Sequence, residues 1–338
     1  MSTNSQLMMP TASCRAGLGF DALYFQIIEQ TLKLMRHDAS KLYPTINERT
    51  GQVCHTFTSG IGFSFNLSEY LPISMLRNFY PKTAAAECAW FFRGEQDSTF
   101  IEQYCGIWKD FTEDDGKTVK AAYGYRWRKH FGRDQVEDLV QCLMKDPSNR
   151  RTVLCAWDPG DDGLMNMGTK NVPCPFAMSF YIVNGKLMCS YFIRSSDLYV
   201  GLPYDIMCTA YVVDALVHEI RQRATYELIR TPNSDPVTHE KLSMLANLGH
   251  GSMSTFLGNP HMYDNHVELA TEAIQHYRCN KATWETSELK YGMTMAPKLP
   301  GWSFSEIAGH ANEYVGMVGE GARKCIMPGL AQRPEVAV

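Results

Sequence analysis

Over residues 20–35, apolar side chains recur at Leu23, Ile27, Ile28, Leu32 and Leu34. That spacing places one apolar stripe on a helix. The same period predicts helices over 83–93, 99–108, 134–144 and 266–277, the third of them stopped by Asp146-Pro147. β-rich runs predict strands over 53–57, 61–67 (broken from the first at Gly60), 152–157 and 256–262. Two further runs, 176–183 and 186–193, flank Asn184-Gly185, a pair that tolerates the positive φ of a hairpin turn. Residues 206–220 are apolar almost all round and predict a buried helix. Residues 1–19 are polar and irregular, a flexible N-terminal tail, and 47–51 and 109–120 read as polar loops. Residues 221–250 read as a polar surface excursion, and 280–338 alternate short elements with Gly and Pro. Helices and strands mix and no linker divides them, so the fold class is α+β in one domain.

Composition narrows the function. The chain has 338 residues, 45% hydrophobic and 20% charged, which excludes disorder over most of its length. A net charge of −4 excludes a broad basic surface for nucleic acid, though not a small anion held by a few arginines. No apolar run reaches the ~18 residues of a membrane span, and no basic-then-apolar leader opens the chain. The eleven cysteines are odd in number and form no CxxC pair. Neither a disulfide framework nor a metal site is therefore expected, and a reduced, cytoplasmic setting is.

Several residues could carry chemistry. Cys174, between Pro173 and Pro175 on a stiff backbone before a strand, is a candidate nucleophile or simply a buried thiol. Arg194, Ser195, Ser196 and Asp197 follow the hairpin. A forked cation with small hydroxyls suits a phosphate, although a solvated strand end has the same composition. Arg150 and Arg151 are adjacent after a helix stop, and Arg49 sits in the 47–51 loop. Glu87 is one carboxylate in an apolar helix: if buried, its pKa rises toward that of a proton-transfer group, and if it lies on a helix edge it simply faces water. His261 and Tyr263, two apart, share a face if they lie on a strand.

In chain order these residues form a series. It runs from Asn47-Glu48-Arg49-Thr50-Gly51 to Glu87 before Trp90-Phe91-Phe92-Arg93-Gly94, then Ile107-Trp108 and Tyr123-Gly124-Tyr125-Arg126-Trp127-Arg128. It continues through Ser148-Asn149-Arg150-Arg151, Ala156-Trp157-Asp158-Pro159 and Pro173-Cys174. It closes with Arg194-Ser195-Ser196-Asp197-Leu198-Tyr199-Val200-Gly201-Leu202-Pro203-Tyr204-Asp205 and His261-Met262-Tyr263. The series resembles the thymidylate synthase family from about residue 20 to the C-terminus, with 221–250 as an insertion.

The resemblance implies a single catalytic domain over 20–338, with a mixed β-sheet at a homodimer interface flanked by helices. It implies that Cys174 adds to C6 of a pyrimidine, making C5 nucleophilic toward the one-carbon unit of 5,10-methylenetetrahydrofolate. Glu87 would organise water, and Tyr123 would help remove the C5 proton. Arg49, Arg194 and Ser195 would hold the nucleotide phosphate, joined by Arg150 and Arg151 from the partner subunit. His261 and Tyr263 would hold the sugar hydroxyl. Asp197, Trp108, Gly201 and the C-terminal Val338 would serve the folate. The expected partners are a nucleotide, the folate and a second copy of the chain, with no metal, membrane or DNA.

Three departures from the family pattern set the substrate expectation. Asp205 stands where thymidylate synthases carry Asn, Pro175 replaces the His after the nucleophile, and Ile193 replaces the Gln before the phosphate arginine. A protonated carboxyl matches the N3 acceptor and N4 amino donor of cytosine. These features resemble the deoxycytidylate hydroxymethylase branch known from phages. The expected activity is therefore C5 hydroxymethylation of dCMP. The alternatives are dCMP methylation, action on dUMP, a silent nucleotide- or RNA-binding homologue, and a cysteine-dependent hydrolase.

Overall fold

The computed structural model describes residues 19–37, 39–47, 51–68, 72, 74, 76, 79–163, 171–286 and 301–325. In chain order the helices are α1 (Gly19–His37), α2 (Pro81–Arg93), α3 (Thr99–Glu102), α4 (Tyr123–Tyr125), α5 (Gln135–Lys145), α6 (Gly201–Arg230), α7 (Pro236–Ala246), α8 (Val267–Thr286), α9 (Phe304–Gly309) and α10 (Ala311–Cys325). The strands are β1 (Leu42–Ile46), β2 (Val53–Phe57), β3 (Ile61–Asn66), β4 (Val153–Cys155), β5 (Pro175–Val183), β6 (Lys186–Asp197) and β7 (Gly249–Tyr263).

The strands form one mixed sheet in the order β1-β2-β7-β6-β5-β4, with β3 also paired to β7. The β5–β6 hairpin turns at Asn184 (φ 51°) and Gly185 (φ 65°), as the dipeptide predicts. β6 and β7 run parallel. A parallel pair requires a long crossover, and α6 and α7 supply it. Residues 221–250 therefore form the end of α6, all of α7 and the first residues of β7. Tyr226, Ile229 and Val237 are exposed there, while Leu242 and Leu245 are buried.

The two faces of the sheet differ. Leu187, Cys189, Tyr191 and Ile193 of β6 are buried toward the helices. A register shift between Pro175 and Ala177 turns Phe176 to the opposite face, where it meets Phe192 at 6.1 Å. Phe192 stacks on Phe256 at 5.2 Å. Phe176, Tyr181, Val183, Val153 and Phe256 are all exposed, so this face is an open aromatic and aliphatic surface.

On the covered side, α6 is buried nearly all round through Ile220 and packs against α2. Ala84, Ala85, Ala86 and Ala89 keep α2 thin enough for close approach. Gly124 makes another close contact: a Cβ there would stand 2.1 Å from the Phe91 carbonyl oxygen. That absence of a side chain lets α4 lie directly on α2. Beyond α4, one π-helical turn over Arg126–His130 buries the Arg126 guanidinium. It bonds Asp162 at 2.8 Å, with both side chains fully buried.

The helix predicted over 99–108 is instead two pieces, α3 and a 3₁₀ turn over Gly106–Phe111. Cys105 is extended between them (φ −148°, ψ 98°), because Trp108 must turn inward onto Trp90 at 4.9 Å. β1 has no counterpart among the predicted strands. It is an edge strand with Leu42 as its one buried residue and Pro44 in its middle.

Candidate active site

Helices α2, α4 and α6 and strands β5 and β6 converge on a small recess of about 50 Å³, lined by Glu87, Phe91, Trp108, Tyr123, Trp127, Met178, Tyr191, Asp205, Cys208 and Thr209. Glu87 comes from the middle of α2 and Tyr123 from the start of α4, the pair set by the Gly124 contact. Asp205 lies in the first turns of α6. Met178 and Tyr191 reach in from the sheet.

Two carboxyls share this recess without a cation between them. Burial raises Glu87 to about 7, and the Trp108 indole N–H, donating to its Oε1 at 2.8 Å, pulls the other way. Asp205 is pushed well above the carboxylate range by burial, then by the charges of Glu87 and Asp197. Two carboxylates in a water-poor recess do not ionise together at neutral pH. Asp205 is therefore the protonated one, able both to donate and to accept.

Cys174 sits at the bulged start of β5, where the Arg194 N–H donates to its carbonyl at 2.8 Å. Burial pushes its thiol up to about 11, and negative charge on Asp205 pushes the same way. Arg194 and a hydrogen bond with Tyr123 favour the thiolate. A neutral Asp205 removes one of the groups opposing thiolate formation. Tyr123 is itself held well above its usual value, chiefly by burial. Its hydroxyl is thus a proton donor at neutral pH.

A second group lies where β6 and β7 end side by side. Their parallel register sets Ser195 beside Asn259 and Asp197 beside His261. His261 and Tyr263 do share a face of β7, with rings edge-on at 5.4 Å. Asn47 donates to the Tyr263 hydroxyl at 2.6 Å. Asp197 Oδ1 accepts the backbone N–H groups of Tyr199 (3.0 Å) and Val200 (3.3 Å), which starts α6. Gly201 stands against Asp197, where an added Cβ would make ordinary contact at 3.7 Å.

The arginines spread more widely. Arg194 is exposed and lies over the Trp157 ring at 5.4 Å. Arg150 and Arg151 are exposed between α5 and β4, held by an Asn149 side chain that accepts the Arg151 N–H at 2.8 Å. Arg49 and Val338 lie outside the described residues. Tyr191, Thr209 and Trp157 were not among the sequence candidates. Tyr191 carries no motif signal, since a strand tyrosine is ordinary core until its hydroxyl is seen against Thr209 and near Asp205.

A thiol at a strand bulge is hydrogen-bonded to Tyr123, which lines the recess holding the two buried carboxyls, an arrangement on a mixed sheet that suits a cysteine nucleophile. The chain belongs to the thymidylate synthase family, whose model, described as thymidylate synthase, matches residues 29–231. It is also 28% identical over 235 residues to a bifunctional dihydrofolate reductase-thymidylate synthase of Plasmodium chabaudi, covering 62% of this chain. The match spans 35% of that relative, so the chain corresponds to about a third of its length. No described helix is long and apolar enough to cross a membrane.

Proposed function

We propose that the protein hydroxymethylates dCMP at C5, using methylenetetrahydrofolate and water. The observation that carries this reading is the placement of Asp205 in the recess beside Glu87, where burial and that neighbouring charge favour its neutral form. A neutral carboxyl donates to cytosine N3 and accepts from the N4 amino group. Uracil presents the opposite order, an N3–H donor and an O4 acceptor, so in this reading discrimination requires the Asp205 proton to be held on the oxygen that faces N3.

The folate supplies the one-carbon unit at the formaldehyde oxidation level. Cys174 bonds to C6, its proton passing through the Tyr123 hydroxyl to water, and the C5–C6 electron pair moves to C5. C5 takes the one-carbon unit, and its own proton leaves through Tyr123. When the folate nitrogen departs with its bonding pair, a methylene group remains on C5. Glu87 takes a proton from the water that adds to this carbon, which a group titrating near neutrality does well. The Cys174–C6 bond then breaks and returns the thiolate. The sum is dCMP, methylenetetrahydrofolate and water going to hydroxymethyl-dCMP and tetrahydrofolate. Arg194, Ser195, Arg49 and a partner's arginines hold the phosphate in this reading. Asp197, Gly201, Trp108 and Val338 serve the folate, and no metal takes part.

Arg150 and Arg151 are exposed at the β4 end of the open sheet face, which is covered in this reading by a second copy of the chain. The Phe176–Phe192–Phe256 row supplies the apolar area for such a contact.

Protein incubated with methylenetetrahydrofolate and either dCMP or dUMP tests the reading through product mass and dihydrofolate absorbance. A product 30 mass units above dCMP (about the mass of added CH₂O) without dihydrofolate is expected. Dihydrofolate formed in step with product would replace hydroxymethylation by methylation. Turnover of dUMP alone would overturn the role of Asp205.

A further inference from the structure

Asp214 and His218 lie one turn apart on α6, and His250 is the second residue of β7. His250 Nε2 stands 2.8 Å from Asp214 Oδ1, and His218 Nε2 stands 3.3 Å from the same oxygen. The three ligand atoms all lie within 4.8 Å of one another. Ligands bound tetrahedrally to zinc at 2.0–2.1 Å are about 3.3 Å apart, so both carboxylate–imidazole spacings match within about half an ångström.

We propose that Asp214, His218 and His250 bind one Zn²⁺ ion, joining α6, the start of β7 and the segment before α9. The Asp214 carboxylate is oriented from behind, where the Gly301 N–H donates to Oδ2 at 3.0 Å. Such a partner fixes a ligand for its metal. Asp214 itself is 2% exposed, whereas the His218 and His250 side chains are 23% and 17% exposed. An ion and a water in the fourth position can therefore approach from the histidine side. Glu306, capping α9, acts electrostatically on His218 and adds to the negative field.

The contrast with a second cluster sharpens the choice. His130, Asp158 and Asp161 also converge. There the Arg126 guanidinium already occupies the cation's place, 2.6 Å from His130 Nε2 and 3.5 Å from each carboxylate. Among the described residues, the ion-pair partners of Asp214 are the two histidines alone. Both present Nε2 to one point with no fixed cation between them.

The test uses the full chain, stripped with EDTA and dialysed against Zn²⁺, with bound metal counted by atomic emission. One zinc per chain is expected. His218→Ala and His250→Ala should each weaken binding at least about 10-fold, while Cys174→Ser leaves it unchanged. Binding should weaken in acid, because protons compete with the metal for its ligands. Zn²⁺ should raise the Tm of the unaltered chain and not that of His250→Ala. Melting curves in EDTA confirm that the variants fold. His218, on the partly exposed side of α6, is the milder of the two substitutions. Absence of bound zinc, wild-type affinity in both histidine variants, or loss of the metal in Cys174→Ser would each overturn the assignment.

Discussion

Trp108 donates its indole N–H to Glu87 Oε1 over 2.8 Å, so an aromatic wall of the recess also sets the proton affinity of its carboxyl. The bond favours the ionised form against a burial effect that lifts the group to about 7. In Trp108→Phe the wall remains and the donor goes. The pH midpoint of turnover assigned to Glu87 should rise by about 1 unit, the equivalent of one hydrogen bond to a charged group. A pH–rate profile on dCMP checks this.

The same carboxyl links stability to pH. Its folded pKa, about 7, lies above the ordinary carboxylate value of 4.5, so the folded chain holds the proton more tightly than the unfolded one. That contribution is fully present below about pH 4.5 and is lost as pH rises through about 7. Glu87→Gln should remove the dependence and leave the protein up to about 3 kcal/mol more stable at pH 8, at 1.36 kcal/mol per unit. Urea denaturation at pH 5 and pH 8 measures the difference.

Asp205→Asn converts an adaptable carboxyl into a fixed amide. The ratio of kcat/KM for dCMP to that for dUMP should fall by about 100-fold or more, as expected when a site's buried polar groups are mismatched to their ligand. Competition of the two nucleotides in one reaction reads it directly.

Gly124 carries no catalytic atom, yet it sets the position of its neighbour Tyr123. A methyl group would stand 2.1 Å from the Phe91 carbonyl oxygen, so Gly124→Ala must push α4 off α2. The cost in stability should be about 1–3 kcal/mol. The lost alignment of Tyr123 should lower kcat at least about 10-fold while KM for nucleotide changes little. Stopped-assay kinetics beside a melting curve separate the two effects.

Arg126 and Asp162 form a fully buried pair at 2.8 Å. Arg126→Met leaves Asp162 without its cation. It should destabilise the chain by about 3–5 kcal/mol, whereas the double change to Met and Asn should recover part of the loss. Chemical denaturation of the two single variants and the double variant gives the coupling.

The sequence is most readable where the cause of a structure is local. Asn184-Gly185 specifies its turn by backbone preference alone, and the Leu23-to-Leu34 stripe becomes the buried face of α1. The break at Cys105 depends on Trp108 packing onto Trp90 from eighteen residues away, which no helical period encodes. The strand predicted over 256–262 runs from Gly249 because Met253 and Thr255, weak signals alone, pair with both β6 and β3. Site residues show the same division. Glu87 stands out as a charge in an apolar helix. Tyr191 and the Asp214–His218–His250 group acquire meaning only when distant segments meet.

α6 carries Asp205 in its first turns and Asp214 nine residues later, about 13 Å along one helical axis at 1.5 Å per residue. A buried helix of this length moves as a rod, since sliding it costs packing on every side. Its position along that axis is therefore a single shared coordinate. Any change that draws Asp214 toward the start of β7 is felt at the recess as a displacement of the carboxyl that faces the base.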